Sequence, residues 1–156
     1  MKKFTKITKT ILLLLVCCFI FTAGCSKITG LRNSLSGDEF TKIAEEYGLE
    51  VEEKTASSLT TYIAQGNNIY SEFYIFESTS YVDASYGYLT DSIEAAFSED
   101  DSSVTDSNDG AYPSFQMSSP SLNAAVSVIG NTMIYVYSTS ADGIDSVDDF
   151  LDKTGY

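Results

Sequence analysis

The stretch that decides the fold reads LNAAVSVI (residues 122–129), then Gly130-Asn131, then TMIYVYS (residues 132–138). Two runs of apolar, β-branched and aromatic residues joined by a two-residue Gly-Asn connection are the pattern of a β-hairpin. Glycine reaches turn angles closed to other residues, and so short a loop forces its flanking strands to pair antiparallel. A second hairpin lies upstream, where Leu59 to Ala64 and Ile69 to Glu77 flank Gln65-Gly66-Asn67-Asn68, residues that tolerate positive φ. Its second strand, IYSEFYIF (residues 69–76), carries large apolar or aromatic side chains on both faces, which suits the middle of a sheet better than its edge.

Working outward, short strands are predicted at Leu49 to Lys54 and at Ser114 to Ser118. Ser36 and Glu39 have capping-box spacing, and Phe40, Ile43, Ala44 and Tyr47 follow at helical intervals until Gly48, predicting a helix over 38–47. Ser80 with Asp83 starts a second helix, whose stripe of Val82, Leu89, Ile93, Ala96 and Phe97 runs to about Ser98. A third follows Asp142, with Ile144, Val147, Phe150 and Leu151 on one face, Lys153 near its end and Gly155 beyond it. The order is α-βββ-α-βββ-α. It predicts an α+β fold: an antiparallel β-sheet of about six strands with about three helices packed on one face. Aligning Gly66-Asn67 with Gly130-Asn131 brings Ser78-Thr79-Ser80 near Ser138-Thr139-Ser140, a hint of internal duplication. Glu99 to Gly110 is acidic and Ser-rich, with Val104 its one large apolar residue, and reads as an exposed loop.

The chain has 156 residues, 9 Lys plus Arg against 22 Asp plus Glu, and neither His nor Trp. Without imidazole, chemistry that relies on a His base, a His-oriented nucleophile or a His metal ligand is excluded. A pI near 4.1 excludes nucleic acid as a partner, since phosphate affinity needs Lys and Arg.

Lys2, Lys3, Lys6 and Lys9 precede eleven uncharged apolar residues from Ile11 to Phe21, the n-region and h-region of a secretory signal. Eleven residues span about 16 Å as a helix, roughly half a bilayer core, too short for a transmembrane anchor. Next come Thr22, Ala23, Gly24 and Cys25, which resemble the lipobox of bacterial lipoproteins, with Thr22 in place of the usual Leu. The resemblance implies diacylglycerol on the Cys25 thiol and cleavage before it, a modification that needs a thiolate nucleophile; the alternative is an ordinary secretory signal with Cys25 incidental. Two acyl chains anchor a protein without a membrane span. The organisation follows: residues 1–24 a lipoprotein signal peptide, 25–36 the lipidated cysteine and a flexible tether, 37–156 a single α+β domain. Cys17 and Cys18 leave with the signal, so the exported part has neither a disulfide nor a thiolate metal site. It keeps five basic residues against all 22 acids, a net charge of −17.

The chain also resembles small lipoproteins of Gram-positive gut bacteria, mostly without an assigned function. The likeness is carried by Asp38-Glu39-Phe40, by residues 72–76, by Gly130 to Val136 and by the terminal Gly155-Tyr156. These motifs are structural, and no catalytic residue carries over.

No S-x-x-K pair exists among Lys42, Lys54 and Lys153, and neither phosphate-binding glycine motif occurs. Carboxylates are the remaining catalytic resource: Glu72 and Glu77 stand among aromatics, as acids of a glycan-active enzyme would, or they are solvated acids of an acidic chain. For Ca2+ the EF-hand frame fails, because it puts Thr105 and Gln116 where Asp and Glu are required. A loose site of Asp100, Asp101, Asp106 and Asp109 stands against a solvated acidic loop. Tyr74, Tyr135 and Tyr137 lie on strands, and with helices on one face some must look outward, either to grip a partner or to cover a half-exposed sheet through cross-strand pairs. The expectation is a lipid-anchored, non-enzymatic binding module on the extracytoplasmic face of the cell membrane. It would take no cofactor, and its partner would be an envelope protein, a peptide or a glycan. A carboxylate-dependent glycan-active enzyme and a purely structural envelope component are the alternatives.

Overall fold

A computed structural model describes residues 32–97, 103–107 and 112–156. The expected signal peptide, Cys25, most of the expected tether, and Asp100, Asp101 and Asp109 lie outside the described residues. The fold is α+β. Helix α1 (Gly37–Glu46) leads into strands β1 (Glu50–Ala56), β2 (Leu59–Gly66) and β3 (Ile69–Phe76). After helix α2 (Val82–Ala96) come β4 (Ser103–Ser107), β5 (Ser114–Ser119), β6 (Leu122–Ile129) and β7 (Thr132–Ser138), and helix α3 (Ile144–Thr154) follows them. All strands join one antiparallel sheet in the order β1-β2-β3-β7-β6-β5-β4.

Local chemistry accounts for the boundaries. Ser36 and Glu39 form the capping box at the start of α1: the Ser36 hydroxyl accepts from the Glu39 N–H, and the Glu39 carboxylate accepts from the Ser36 N–H at 2.8 Å. Asn67 and Asn68 take φ of 45° and 64° in the β2-β3 turn, and Gly130 takes 64° in the β6-β7 turn. Ser78 and Ser138 close their strands alike: each hydroxyl accepts the N–H two residues on, and each is followed by a short 3-10 turn into a helix.

The sheet has seven strands, not about six. The extra one is β4, inside the segment expected to be an exposed loop. Five polar, small or β-branched residues add to the β5 edge through backbone hydrogen bonds, which ask little of the side chains; Val104 stays 56% exposed.

The helices do not share one face either. Phe40 and Ala44 of α1 and Val147 and Phe150 of α3 pack on a first face made by Ala64, Phe73, Ala125, Ile134 and Val136. Val82 and Ile93 of α2 pack on the opposite face, over Phe115, Met117, Val126, Val128 and Met133. The reason is parity. Counted from the first residue after each turn, Ile69 and Thr132, β3 ends with Phe76 at position 8 and β7 with Ser138 at position 7. Successive strand residues alternate sides, so an odd difference sends the two exits to opposite faces. The same parity breaks the duplication alignment: the turns match as Asn67-Asn68 with Gly130-Asn131, one residue away from the sequence match, which would pair residues of opposite faces.

Candidate functional site

Helix α2 packs on the second face mainly over β5, β6 and β7. Beside it, β3 and β7 pair in a register that sets Tyr70 opposite Tyr137, Glu72 opposite Tyr135 and Tyr74 opposite Met133. Tyr70, Glu72, Tyr74, Tyr135 and Tyr137 thus share one side of the sheet, and all are half-buried. Ring centroids of Tyr70 and Tyr137 stand 5.2 Å apart and those of Tyr135 and Tyr137 5.6 Å apart, within the range of favourable aromatic pairs.

Glu72 sits in the middle of this patch. The Tyr70 hydroxyl donates to its Oε1 and the Tyr74 hydroxyl to its Oε2. Both tyrosines lie two residues from Glu72 on the same strand, so the strand's own period aims them at it. Burial, then the Glu72 hydrogen bond, pushes the Tyr70 hydroxyl above the ordinary phenol range. Tyr135 is pushed up to about 12, by burial first and then by Tyr137 and Glu72. Both hydroxyls stay protonated at any physiological pH, and Tyr70 keeps donating to the carboxylate.

The patch runs into a groove. Tyr74 stacks on Phe76 at 6.0 Å, and both line a cavity of about 330 Å³ between the sheet and α2, together with Leu59, Met133, Leu89 and Tyr88. Tyr88 is 71% exposed at its mouth. An apolar trough beside a tyrosine-carboxylate patch can hold an apolar or aromatic side chain and, next to it, a hydrogen-bond donor or a positive charge on the ring faces.

The structure therefore brings Tyr74, Tyr135 and Tyr137 together and adds Tyr70, Glu72 and Tyr88. Tyr70 was legible in principle, since it shares its strand period with Tyr74. Tyr88 was not, because its role depends on which face α2 covers. Glu72 and Glu77 do not form a facing pair: Glu72 is held by two tyrosines, while Glu77 lies exposed past the end of β3. Asp106 is exposed on the edge strand β4, and among the described residues no three Asp, Glu, Cys or His gather as a metal site. Among the described residues no helix is long and apolar enough to cross a membrane.

No protein-family model, no curated protein and no solved structure matches the chain.

Proposed function

We propose that the protein is a lipid-anchored extracytoplasmic lipoprotein whose domain works without catalysis, binding a partner through the tyrosine face of its sheet. The observation that carries the reading is a half-buried patch of four tyrosines around one carboxylate, beside α2 and running into an apolar groove of about 330 Å³. Tyrosine suits recognition because it offers large area for few rotors and a polar tip. The partner favoured is a peptide segment of an envelope protein carrying aromatic and basic side chains. The aromatic group fits the groove, the positive charge fits Glu72 and the ring faces, and the acidic domain draws such a segment in. The anchoring part of the proposal rests on residues 1–25 of the sequence alone.

Two experiments test it. A random peptide library is panned against the full chain, with a Tyr74→Ser/Tyr137→Ser variant as counter-target. The expected result is enrichment of aromatic and basic sequences that bind the variant at least tenfold more weakly; peptides that bind both alike, or preferential capture of soluble glycans, would overturn the peptide reading. For the anchor, Cys25→Ser should move the protein from the membrane to the soluble fraction or leave it uncleaved, and intact mass should show a diacylglycerol thioether on Cys25 of the native protein. An unmodified Cys25 in membrane-bound protein removes the lipid.

A further inference from the structure

On the first face of the sheet, away from the tyrosines, α3 and strands β4 to β6 enclose a second cavity of about 210 Å³. Its polar lining comes from Thr105, Ser114, Gln116 and Ser127 of the strands and from Asp148 and Asp152 of α3. Ala125 and Leu151 supply apolar wall. The carboxylates stand four residues apart on the helix, so both project from one side of it.

Ser127 marks this cavity as more than an acidic rim. It lies on a central strand, is 3% exposed, and its hydroxyl has no hydrogen-bond partner among the described residues. Its neighbours on this face do find partners: the Asn123 amide donates to the Ile144 carbonyl at 2.9 Å, and Thr132 meets the Tyr156 hydroxyl. A buried hydroxyl left without a partner carries a desolvation cost, which a residue of pure packing such as Ala would avoid.

The remaining hydrogen-bonding capacity has a sign. The Gln116 amide nitrogen already donates to Asn123 Oδ1 at 2.9 Å and to Asp148 Oδ1 at 2.6 Å, so both of its hydrogens are committed. What is left facing the cavity is hydroxyl and carboxylate oxygen. The basic residues described elsewhere are engaged: Lys42 with Glu46, Lys54 with Glu52, Arg32 over Tyr112, and Lys153 over Tyr47 at 4.6 Å. None of them lines the cavity. A phosphate or carboxylate would meet two negative charges there, whereas an ammonium group offers three donors to Ser127 Oγ and to the carboxylates, although Asp148 Oδ1 already accepts from Gln116 and Asn123.

We infer that this cavity binds a small organic ammonium ion, a primary amine on a short aliphatic chain. Asp148 and Asp152 hold the charge, Ser127 Oγ accepts one N–H, and the chain lies against Ala125 and Leu151. The site is separate from the tyrosine face, so its success or failure leaves the peptide reading untouched.

Calorimetric titration of the full chain with butylammonium chloride tests it, with 1-butanol and sodium butyrate as neutral and anionic controls of similar length. Butylammonium is expected to bind saturably, and the two controls at least tenfold more weakly. Asp152→Asn, an exposed position that is safe for folding, should weaken butylammonium about tenfold, the worth of one charge-assisted hydrogen bond. Ser127→Ala should do the same while leaving the melting temperature equal or higher, because it deletes an unpartnered polar group. Glu50→Gln, on the distant edge strand, should change neither. Absence of saturable binding, equal binding of 1-butanol, or equal weakening by Asp152→Asn and Glu50→Gln would overturn the proposal, the last by reducing it to attraction of any cation to an acidic surface. Ser127→Ala that leaves butylammonium affinity unchanged would overturn it too.

Discussion

The two faces of one sheet use aromatic residues for different ends. On the first, Phe40 stacks on Phe73 at 4.9 Å and meets Phe150 edge-on at 6.1 Å, with Tyr156 edge-on to Phe73 at 6.0 Å; the three phenylalanines have no exposed surface. On the second, Tyr70, Tyr74, Tyr135 and Tyr137 keep similar spacings but remain half-buried, and the hydroxyls of Tyr70 and Tyr74 turn to the Glu72 carboxylate. Strands β3 and β7 contribute to both faces, alternating Phe73, Ile134 and Val136 with Tyr74, Tyr135 and Tyr137 along the chain, while Phe40 and Phe150 of the helices complete the first. Side-chain period alone thus separates a core from a surface built of equally large rings. The first face holds the molecule together, and the second is free to meet something else.

That contrast can be broken from either side. Phe73→Ala should have the largest effect, lowering stability by about 3–5 kcal/mol as expected for a fully buried aromatic, measured by urea unfolding. Tyr137→Ala, one residue across the pleat from Val136, should cost about 1 kcal/mol, mostly its aromatic pairs, and lose peptide binding all the same. A Tyr137→Ala loss as large as that of Phe73→Ala would make the second face a core after all. Ser36→Ala removes the cap of α1, outside both faces, and should cost about 1 kcal/mol in the same measurement.

The second face can also be probed by pH. Tyr135 ionises at about 12 in the fold against about 10 when unfolded. The folded state therefore holds its proton longer; that part of the stability is complete below pH 10 and fades as pH rises from 10 through 12. Ultraviolet titration should show a phenol near pH 12 that disappears in Tyr135→Phe. If Tyr135→Phe instead removes part of the transition near pH 10, the second face is open to water.

Much of this architecture was legible because the informative residues act locally. The bounds of β6 and β7 follow from Gly130-Asn131 and the apolar runs around it, and the start of α1 from the Ser36 and Glu39 pair. Residues that act through distant partners were opaque. β4 is held by backbone pairing to β5, which Ser103 to Ser107 do not advertise. The side taken by α2 depends on strand parity, although residues 123–129 did carry the clue: every one of them is buried, so that strand must be covered from both sides. Of the candidate site, the tyrosines stood out as a residue type on strands, but the groove beside them and the Ser127 cavity exist only once helices and sheet have met.

The junction between β3 and β7 has a kinetic consequence. The other strand pairs join neighbours in the sequence, whereas here the Ser71 hydroxyl reaches the Tyr135 carbonyl across 64 positions. Two meanders can form independently, and the slow event is their zipping along this seam once the last hairpin has been made. Until then β3 offers one bare edge and apolar rings on both sides, so the nascent molecule is most prone to wrong pairing in the interval before Thr132 to Ser138 arrive.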